Sequence, residues 1–148
     1  MTADVEAVVD LWVASWNATM PDIDFSGRGS WLRERLAEHE ASGIAILCAV
    51  DDADLPLGFV TVDPGSGHID QLAVSLRRFG AGIGTALIAA ARQVSPGELL
   101  LEVNQENSRA VGFYKGQGFV VTGEGTIGIN RRKTWFMRCP ARTGSGSV

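Results

Sequence analysis

The glycine-rich segment at residues 68–92 is the strongest constraint that this sequence places on its fold. It reads HIDQLAVSLRRFGAGIGTALIAAAR, a short apolar strand, a glycine-rich turn and an alanine-rich helix in that order. Gly80, Gly82 and Gly84 permit backbone conformations that other residues avoid, and the amide groups of such a turn converge with the positive end of the helix that follows. The segment therefore predicts an anion-binding turn, to which the nearby Arg78 adds positive charge.

The apolar pattern of the whole chain predicts one domain over residues 1–142 and a flexible tail over residues 143–148. Two amphipathic helices come first, three antiparallel strands follow, and strands then alternate with helices. The predicted helices are 4–17, 31 to about 43, 83–93 and 107–117, and the predicted strands are 44–50, 57–62, 68–74, 99–103, 119–122 and 133–139. This order predicts an α/β (α+β) fold with a mixed, mostly antiparallel central sheet and helices on both faces.

Charge and length exclude several classes of function. The 148 residues carry a net charge of -4, so no broad cationic surface is available for nucleic acid. The longest apolar stretch, Ile44–Val50, is far shorter than the ~20 residues of a membrane span. The two cysteines, Cys48 and Cys139, are too few and too far apart in sequence for a zinc site or a disulfide scaffold. We therefore expect a cytoplasmic protein without nucleic acid, membrane or metal as partner.

Two nucleotide-binding folds can be tested against the glycine turn. A P-loop requires Lys followed by Ser or Thr after its last glycine, whereas Gly84 is followed by Thr85 and alanine. A dinucleotide fingerprint that starts at Gly82 would place its third glycine where Leu87 stands. Glu102 does lie at the distance of a ribose-binding acid, so dinucleotide binding remains the weaker alternative.

A second motif identifies a family. Residues 99–125 read LLLEVNQENSRAVGFYKGQGFVVTGEG and contain the pattern Asn107-x-x-Ala110-x-x-Phe113-Tyr114-x-x-x-Gly118-Phe119. Together with the glycine turn, in this order, the pattern resembles the GNAT superfamily of N-acetyltransferases over roughly residues 44–137. The resemblance implies a GNAT-like fold, acetyl-CoA as the cofactor, and an amine on a small molecule or peptide as the acceptor.

The resemblance also implies a set of cofactor-binding residues. The strand backbone would pair with the pantetheine arm, the turn would hold the pyrophosphate, Asn107 would bind the arm, and Tyr114 would lie beside the thioester sulfur. The implied residues are Leu72, Ala73, Val74, Arg78, Phe79, Gly80, Ala81, Gly82, Ile83, Gly84, Thr85, Asn107 and Tyr114. Their alternative roles are structural, because Asn107 can cap its helix and Tyr114 can be a packed aromatic residue.

The aminolysis of a thioester requires an acid and a base. Tyr114 is the predicted general acid, because a phenol with a pKa of ~10 is protonated at neutral pH. Glu102 is the first candidate for the base: it shares one face of an apolar strand with Leu100, and some members of the family are thought to use a glutamate at a matching place. Asp70 is the second candidate for the base. Two alternatives stay open: a chain of water molecules carries the proton, or each carboxylate simply lies at a solvated strand end without a catalytic role. His39 and His68 are interpreted as surface histidines, and Trp31 as a core residue.

The sequence departs from the family pattern at two places. Phe79 stands where the family usually has Gln or Arg in its pyrophosphate motif, which leaves the strength of CoA binding open. We expect the short strand that many members place before the first helix to be absent, so that an exposed sheet edge can support a homodimer. We expect direct transfer in a ternary complex, because neither cysteine has a sequence sign of activation. The rival function is that of a non-catalytic acyl-CoA sensor. For the acceptor, the loop between the first two helices supplies the candidate contact residues Asp22, Asp24, Phe25 and Arg28.

Overall fold

The computed structural model describes residues 5–19, 28–53, 55–75, 82–127 and 132–141. The predicted candidates Asp22, Asp24, Phe25, Arg78, Phe79, Gly80 and Ala81, and the predicted tail, lie outside these ranges. The helices are α1 Val5–Thr19, α2 Gly29–Ala41, α3 Ile83–Val94 and α4 Ser108–Gly116, and the strands are β1 Ala45–Val50, β2 Pro56–Val62, β3 Ile69–Val74, β4 Leu99–Asn104, β5 Val120–Ile127 and β6 Arg132–Cys139.

The first sheet has the order β1-β2-β3 with both pairs antiparallel, as the sequence predicts. Every residue of the central strand β2 is buried, because helices cover both of its faces. Phe59 packs with the apolar residues of α1 and α2, whereas Val60 and Val62 pack with Leu87 and Ile88 of α3. The prediction of helices on both faces is therefore confirmed for this sheet.

The second sheet has the order β4-β6-β5, again with antiparallel pairs. The sequence predicts a strand over residues 119–122, but β5 continues to Ile127. The reason lies in the glycines after residue 122: a Cβ added to Gly125 would lie 2.7 Å from Cζ of Phe136. Glycine at this position makes room for an aromatic ring of the neighbouring strand and does not end the strand.

The two sheets meet where β3 and β4 begin. His68, just before β3, forms a parallel bridge with Leu100 of β4, and the Leu100 amide donates a hydrogen bond of 2.9 Å to the carbonyl of Gly67. Beyond this bridge the strands pair with different partners and belong to separate sheets. Among the described residues β3 therefore pairs only with β2 over Leu72–Val74, and its other edge faces the gap between the sheets.

Candidate active site

A bulge in β3 turns two polar side chains toward the first helix pair. Leu72 pairs with Val60 and Ile69 pairs with Val62, so two residues, Asp70 and Gln71, lie opposite Thr61 alone. The backbone N–H of Gln71 donates a hydrogen bond of 3.0 Å to the buried hydroxyl of Thr61. The bulge places the carboxylate and the carboxamide together on the side that α1 and α2 cover.

The carboxylate of Asp70 is held by two side chains of α2, Arg35 and His39. The Arg35 guanidinium donates to both carboxylate oxygens at 2.8 Å, and Nε2 of His39 lies 3.0 Å from one of them. Burial by itself would raise the pKa of Asp70, but the hydrogen bonds from Arg35 and His39 and the charge of Arg35 outweigh it and hold the pKa well below its ordinary value. A carboxylate with so low a pKa is a weak proton acceptor, which disfavours Asp70 as the base.

Two interpretations of residues on α2 are wrong. His39 is not a surface histidine, since its side chain is 13% exposed and contacts Asp70. Trp31 is not a core residue, since it is 44% exposed and covers the buried Trp12 at a ring distance of 5.8 Å. The guanidinium of Arg35 lies 5.6 Å from the Trp31 ring centre. The helical periodicity of α2 predicted which residues share a face, but it could not predict the bulge of β3 that Arg35 and His39 contact.

Glu102 shares one face of β4 with Leu100, as predicted, and this face is the less buried of the two. Leu99, Leu101 and Val103 are buried on the opposite face. The hydroxyl of Thr134 on β6 donates a hydrogen bond of 2.6 Å to Oε2 of Glu102. This bond fixes one carboxylate oxygen and leaves Oε1 without a hydrogen-bond partner among the described residues.

The described part of the glycine turn begins at the start of α3. Gly82 stands at the N-cap of α3 with a left-handed backbone, φ of +83°. Because glycine has no side chain, no side-chain oxygen of the N-cap residue bonds the first amides of α3. Gly84 has a different role, because a Cβ there would lie 2.9 Å from Cζ of Phe113. The side chain of Thr85 accepts a hydrogen bond from Gln117. Glycine in this turn therefore serves both backbone conformation and the close packing of α3 on α4.

Asn107 and Tyr114 both have the structural roles that the sequence left open. The side-chain oxygen of Asn107 accepts a hydrogen bond of 3.2 Å from the amide of Ala110 and caps α4. Tyr114 is 8% exposed and packs edge-on between Phe113 and Phe119, with ring centres 5.4 Å apart in each pair. Burial raises the pKa of the Tyr114 phenol above its ordinary value, so the group is protonated at neutral pH.

Neither cysteine has the environment of a nucleophile. Cys48 is partly buried, and burial raises the pKa of its thiol. Cys139 is buried and accepts a hydrogen bond of 3.1 Å from Nη2 of Arg92. In the described ranges no three His, Cys, Asp or Glu side chains come together as metal ligands would, and none of the helices found there is long and apolar enough to cross a membrane.

Sequence reasoning missed the partners of the two candidate carboxylates. Arg35 and His39 reach Asp70 from α2, and Thr134 reaches Glu102 from β6. Each partner is separated from its carboxylate by about 30 residues of chain, so no local motif could connect them. The sequence predicted the strand that carries Thr134 but not its pairing with the strand of Glu102, which the structure shows.

Comparisons with known proteins agree with this architecture. The model of the family described as "Acetyltransferase (GNAT) family" matches residues 5–119. A peptidyl-lysine N-acetyltransferase, YjaB of Salmonella typhimurium, is 34% identical over 122 residues, which are 82% of this chain and 81% of that protein. The protein of the same name from Escherichia coli is 33% identical over the same length.

Solved structures are similar in fold. The solution structure of apo YjaB from Escherichia coli superposes with a TM-score of 0.74 at 27% identity, covering 93% of this chain and 92% of that one. The PaiA N-acetyltransferase of Thermoplasma acidophilum in complex with coenzyme A superposes with a TM-score of 0.72 at 23% identity and the same coverage. At that identity the second likeness concerns the fold alone.

Proposed function

This chain belongs to the acetyltransferase (GNAT) family, and from that premise we propose that it acetylates the side-chain amine of lysine in a peptide or protein by direct attack on bound acetyl-CoA. Membership of the family makes the chain an acetyl-CoA-dependent N-acetyltransferase, with acetyl-CoA as its cosubstrate. The choice of lysine is supported by the peptidyl-lysine N-acetyltransferase that is 34% identical to it.

The observation that carries the proposal is the separation of β3 from β4 after one bridge. The edge of β3 over Leu72–Val74 has no strand partner on the β4 side within the described ranges. The pantetheine arm contains amide groups that can pair with such an edge as an added strand would. We place the arm here, with the backbone of Leu72, Ala73 and Val74 as its partners.

The pyrophosphate belongs at the start of α3 in this arrangement. Gly82, Ile83, Gly84 and Thr85 supply the first backbone amides of the helix, whose positive end favours an anion. Arg78, Phe79, Gly80 and Ala81 complete the turn in our proposal. Phe79 offers no charge to the phosphates, so the backbone amides and Arg78 carry this contact.

Asn107 and Tyr114 act from α4. The cap uses only Oδ1 of Asn107, so its side-chain NH2 group can donate to a carbonyl of the arm. Tyr114 donates a hydrogen bond to the departing sulfur. Because a simple thiol has a pKa of ~8.5, below that of a buried phenol, complete proton transfer from Tyr114 is unfavourable and hydrogen bonding to the developing thiolate is the larger contribution.

Glu102 is the proposed base. A lysine ammonium with a pKa of ~10.4 must lose a proton before it can attack, and the unbonded Oε1 of Glu102 can accept that proton. Asp70 is the less favoured candidate for the base, because its carboxylate is held by Arg35 and His39. In the reaction the neutral amine forms a bond to the acetyl carbon, an amide of β3 stabilises the oxyanion, and the carbon–sulfur bond breaks. As the new bond forms, the nitrogen loses its second proton to solvent and the thiolate takes up one proton from solvent, so the net release per turnover is the one proton that Glu102 accepted.

The experiment uses the wild-type chain, acetyl-CoA and a panel of short peptides with and without lysine. We expect release of the CoA thiol that depends on lysine, together with a mass increase of one acetyl group located on the lysine side chain by mass spectrometry. Acetylation of only the peptide N-terminus would contradict the choice of lysine. Binding of acetyl-CoA by calorimetry without turnover on any amine would instead favour the non-catalytic sensor.

The homodimer is also kept as a proposal. Within the described ranges β1 pairs only with β2, so the other edge of β1 is open to a second copy of the chain. Light scattering coupled to size-exclusion chromatography would measure the mass of a dimer if this pairing forms, and the mass of one chain if it does not.

A further inference from the structure

Asn104, the last residue of β4, has a buried polar atom that the fold does not satisfy. Its side-chain oxygen Oδ1 is shielded from solvent and has no hydrogen-bond partner among the described residues. Most buried polar atoms in native proteins are hydrogen-bonded, so an exception requires an explanation. Nε of Arg92 is the other such atom in the described ranges, but the Arg92 guanidinium already binds the carbonyl of Gln117 and the thiol of Cys139 through Nη2.

The neighbours of Asn104 on this face cannot satisfy it. Asn104 lies two residues after Glu102, so both side chains project from the same face of β4, with Cα atoms roughly 7 Å apart. Thr134 lies directly opposite Asn104 in the ladder. Its hydroxyl has a single hydrogen to donate, and Glu102 receives it. Asn104 Oδ1 is therefore an acceptor on the same face as a second acceptor, and the hydroxyl opposite it in the ladder is already committed.

The place of this pair in the fold is as informative as its chemistry. The bridge between the sheets involves Leu100, at the beginning of β4, and Asn104 stands at the opposite end of the strand. Since β3 and β4 are parallel and separate after the bridge, Asn104 lies toward the open end of the gap. Asn104 and Glu102 therefore lie on the half of β4 that faces this opening.

We propose that Asn104 Oδ1 and Glu102 Oε1 together bind the primary amine of the acceptor, with Asn104 as a specificity-determining residue. The inference rests on the proposed function and deepens it. An ammonium group carries three N–H donors and can donate to both oxygens. Once Oε1 has taken one of these protons and passed it to solvent, the neutral amine donates its two remaining N–H groups to the same two oxygens and keeps its lone pair free for the acetyl carbon. A neutral secondary amine or an alcohol has one donor and leaves one oxygen unsatisfied.

The test compares wild type with Asn104→Leu and Asn104→Asp. Asn104→Leu removes the acceptor atom and keeps a similar volume, and Asn104→Asp keeps an acceptor oxygen. We expect Asn104→Leu to raise the KM for a lysine peptide about 10-fold or more, with the dissociation constant of acetyl-CoA unchanged, because only the contact with the amine is lost. Asn104→Asp should retain a KM near that of wild type. Thermal unfolding of Asn104→Leu should equal that of wild type, since the variant also removes an unsatisfied buried atom.

A second readout separates recognition from folding. Wild type should have a higher kcat/KM for peptide lysine than for peptide N-methyl-lysine. Asn104→Leu should reduce the ratio of these two values, whereas the loss of a merely structural residue would leave the ratio unchanged. An unaltered peptide KM and an unaltered ratio in an active Asn104→Leu variant would overturn the inference alone. A weaker acetyl-CoA affinity with unchanged peptide KM would overturn it in favour of a contact with the cofactor arm. Wild type that acetylates no lysine peptide would overturn the proposed function and the inference with it.

Discussion

Arg35 binds both carboxylate oxygens of Asp70, each at 2.8 Å, and thereby joins α2 to the bulge of β3. The pair is supported by His39, whose Nε2 lies 3.0 Å from one of the same oxygens. A bidentate pair with an additional hydrogen bond is geometrically specific, and its removal leaves an uncompensated charge on α2. The cluster therefore fixes the distance between the first helix pair and the strand that the proposed cofactor arm would follow.

Replacing Asp70 with Asn should destabilise the protein by about 1.5–3 kcal/mol at pH 7, because charge-assisted hydrogen bonds to Arg35 and His39 are lost. Urea unfolding measures this change. The matched control is Glu6→Gln, which removes an exposed bidentate partner of Arg33 and should change stability less. Equal losses for the two variants would contradict a special role for Asp70.

The contribution of Asp70 should depend on pH in a defined direction. Its folded pKa lies below the ~3.9 of an unfolded Asp, so the stabilisation is present above about pH 4 and is lost as the pH falls through the lower folded value. The difference in unfolding free energy between wild type and Asp70→Asn should thus be largest near neutral pH and shrink toward pH 2. A difference that grows on acidification would contradict the assignment.

Replacing Tyr114 with Phe should lower kcat by about 100-fold, because the hydrogen bond to the departing sulfur is lost. The ring contacts with Phe113 and Phe119 are retained, so thermal stability and the dissociation constant of acetyl-CoA should change little. Steady-state kinetics with a lysine peptide measures the effect. Undiminished kcat across the pH range would show that the phenol takes no part in the reaction.

Replacing Glu102 with Gln should reduce kcat/KM about 100-fold or more at pH 7, since no carboxylate then accepts the proton of the lysine ammonium. The deficit should narrow toward pH 10, where a growing fraction of lysine is already neutral. Glu98→Gln serves as the control, because Glu98 lies on the surface in an ion pair with Arg138. A deficit that is independent of pH would indicate that Glu102 has a role other than that of a base.

Replacing Gly67 with Ala should destabilise the junction between the sheets by more than ~4 kcal/mol. Gly67 has a φ of +78°, and a Cβ there would lie 1.9 Å from the carbonyl oxygen of Glu98. Gly43 has a similar φ of +82° but no atom within 4 Å of an added Cβ, so Gly43→Ala should lose only about 1–2 kcal/mol from backbone strain. Chemical denaturation of the two variants compares them directly, and similar losses would contradict the close contact at Gly67.

Much of the fold could be predicted from the sequence because its signals are local. Apolar spacing located the four helices and six strands that the described ranges contain, and the end of β4 moved by only one residue. The predicted strand ended at residue 122, just before Gly123 and Gly125, so the extension of β5 to Ile127 was missed. Gly125 accommodates the ring of Phe136, which belongs to another strand and leaves no trace in the local pattern.

The sequence by itself determined the family, the strand–turn–helix order and the candidate residues Glu102, Asn107 and Tyr114, because motifs and periodicity are properties of neighbours along the chain. Only the tertiary structure decided which groups meet these residues: the hydrogen bond from Thr134 to Glu102, the pairing of Asp70 with Arg35 and His39, and the unsatisfied oxygen of Asn104. A bulge and a cross-strand register bring these groups together. The identity of a hydrogen-bond partner is set by that packing and not by distance in sequence.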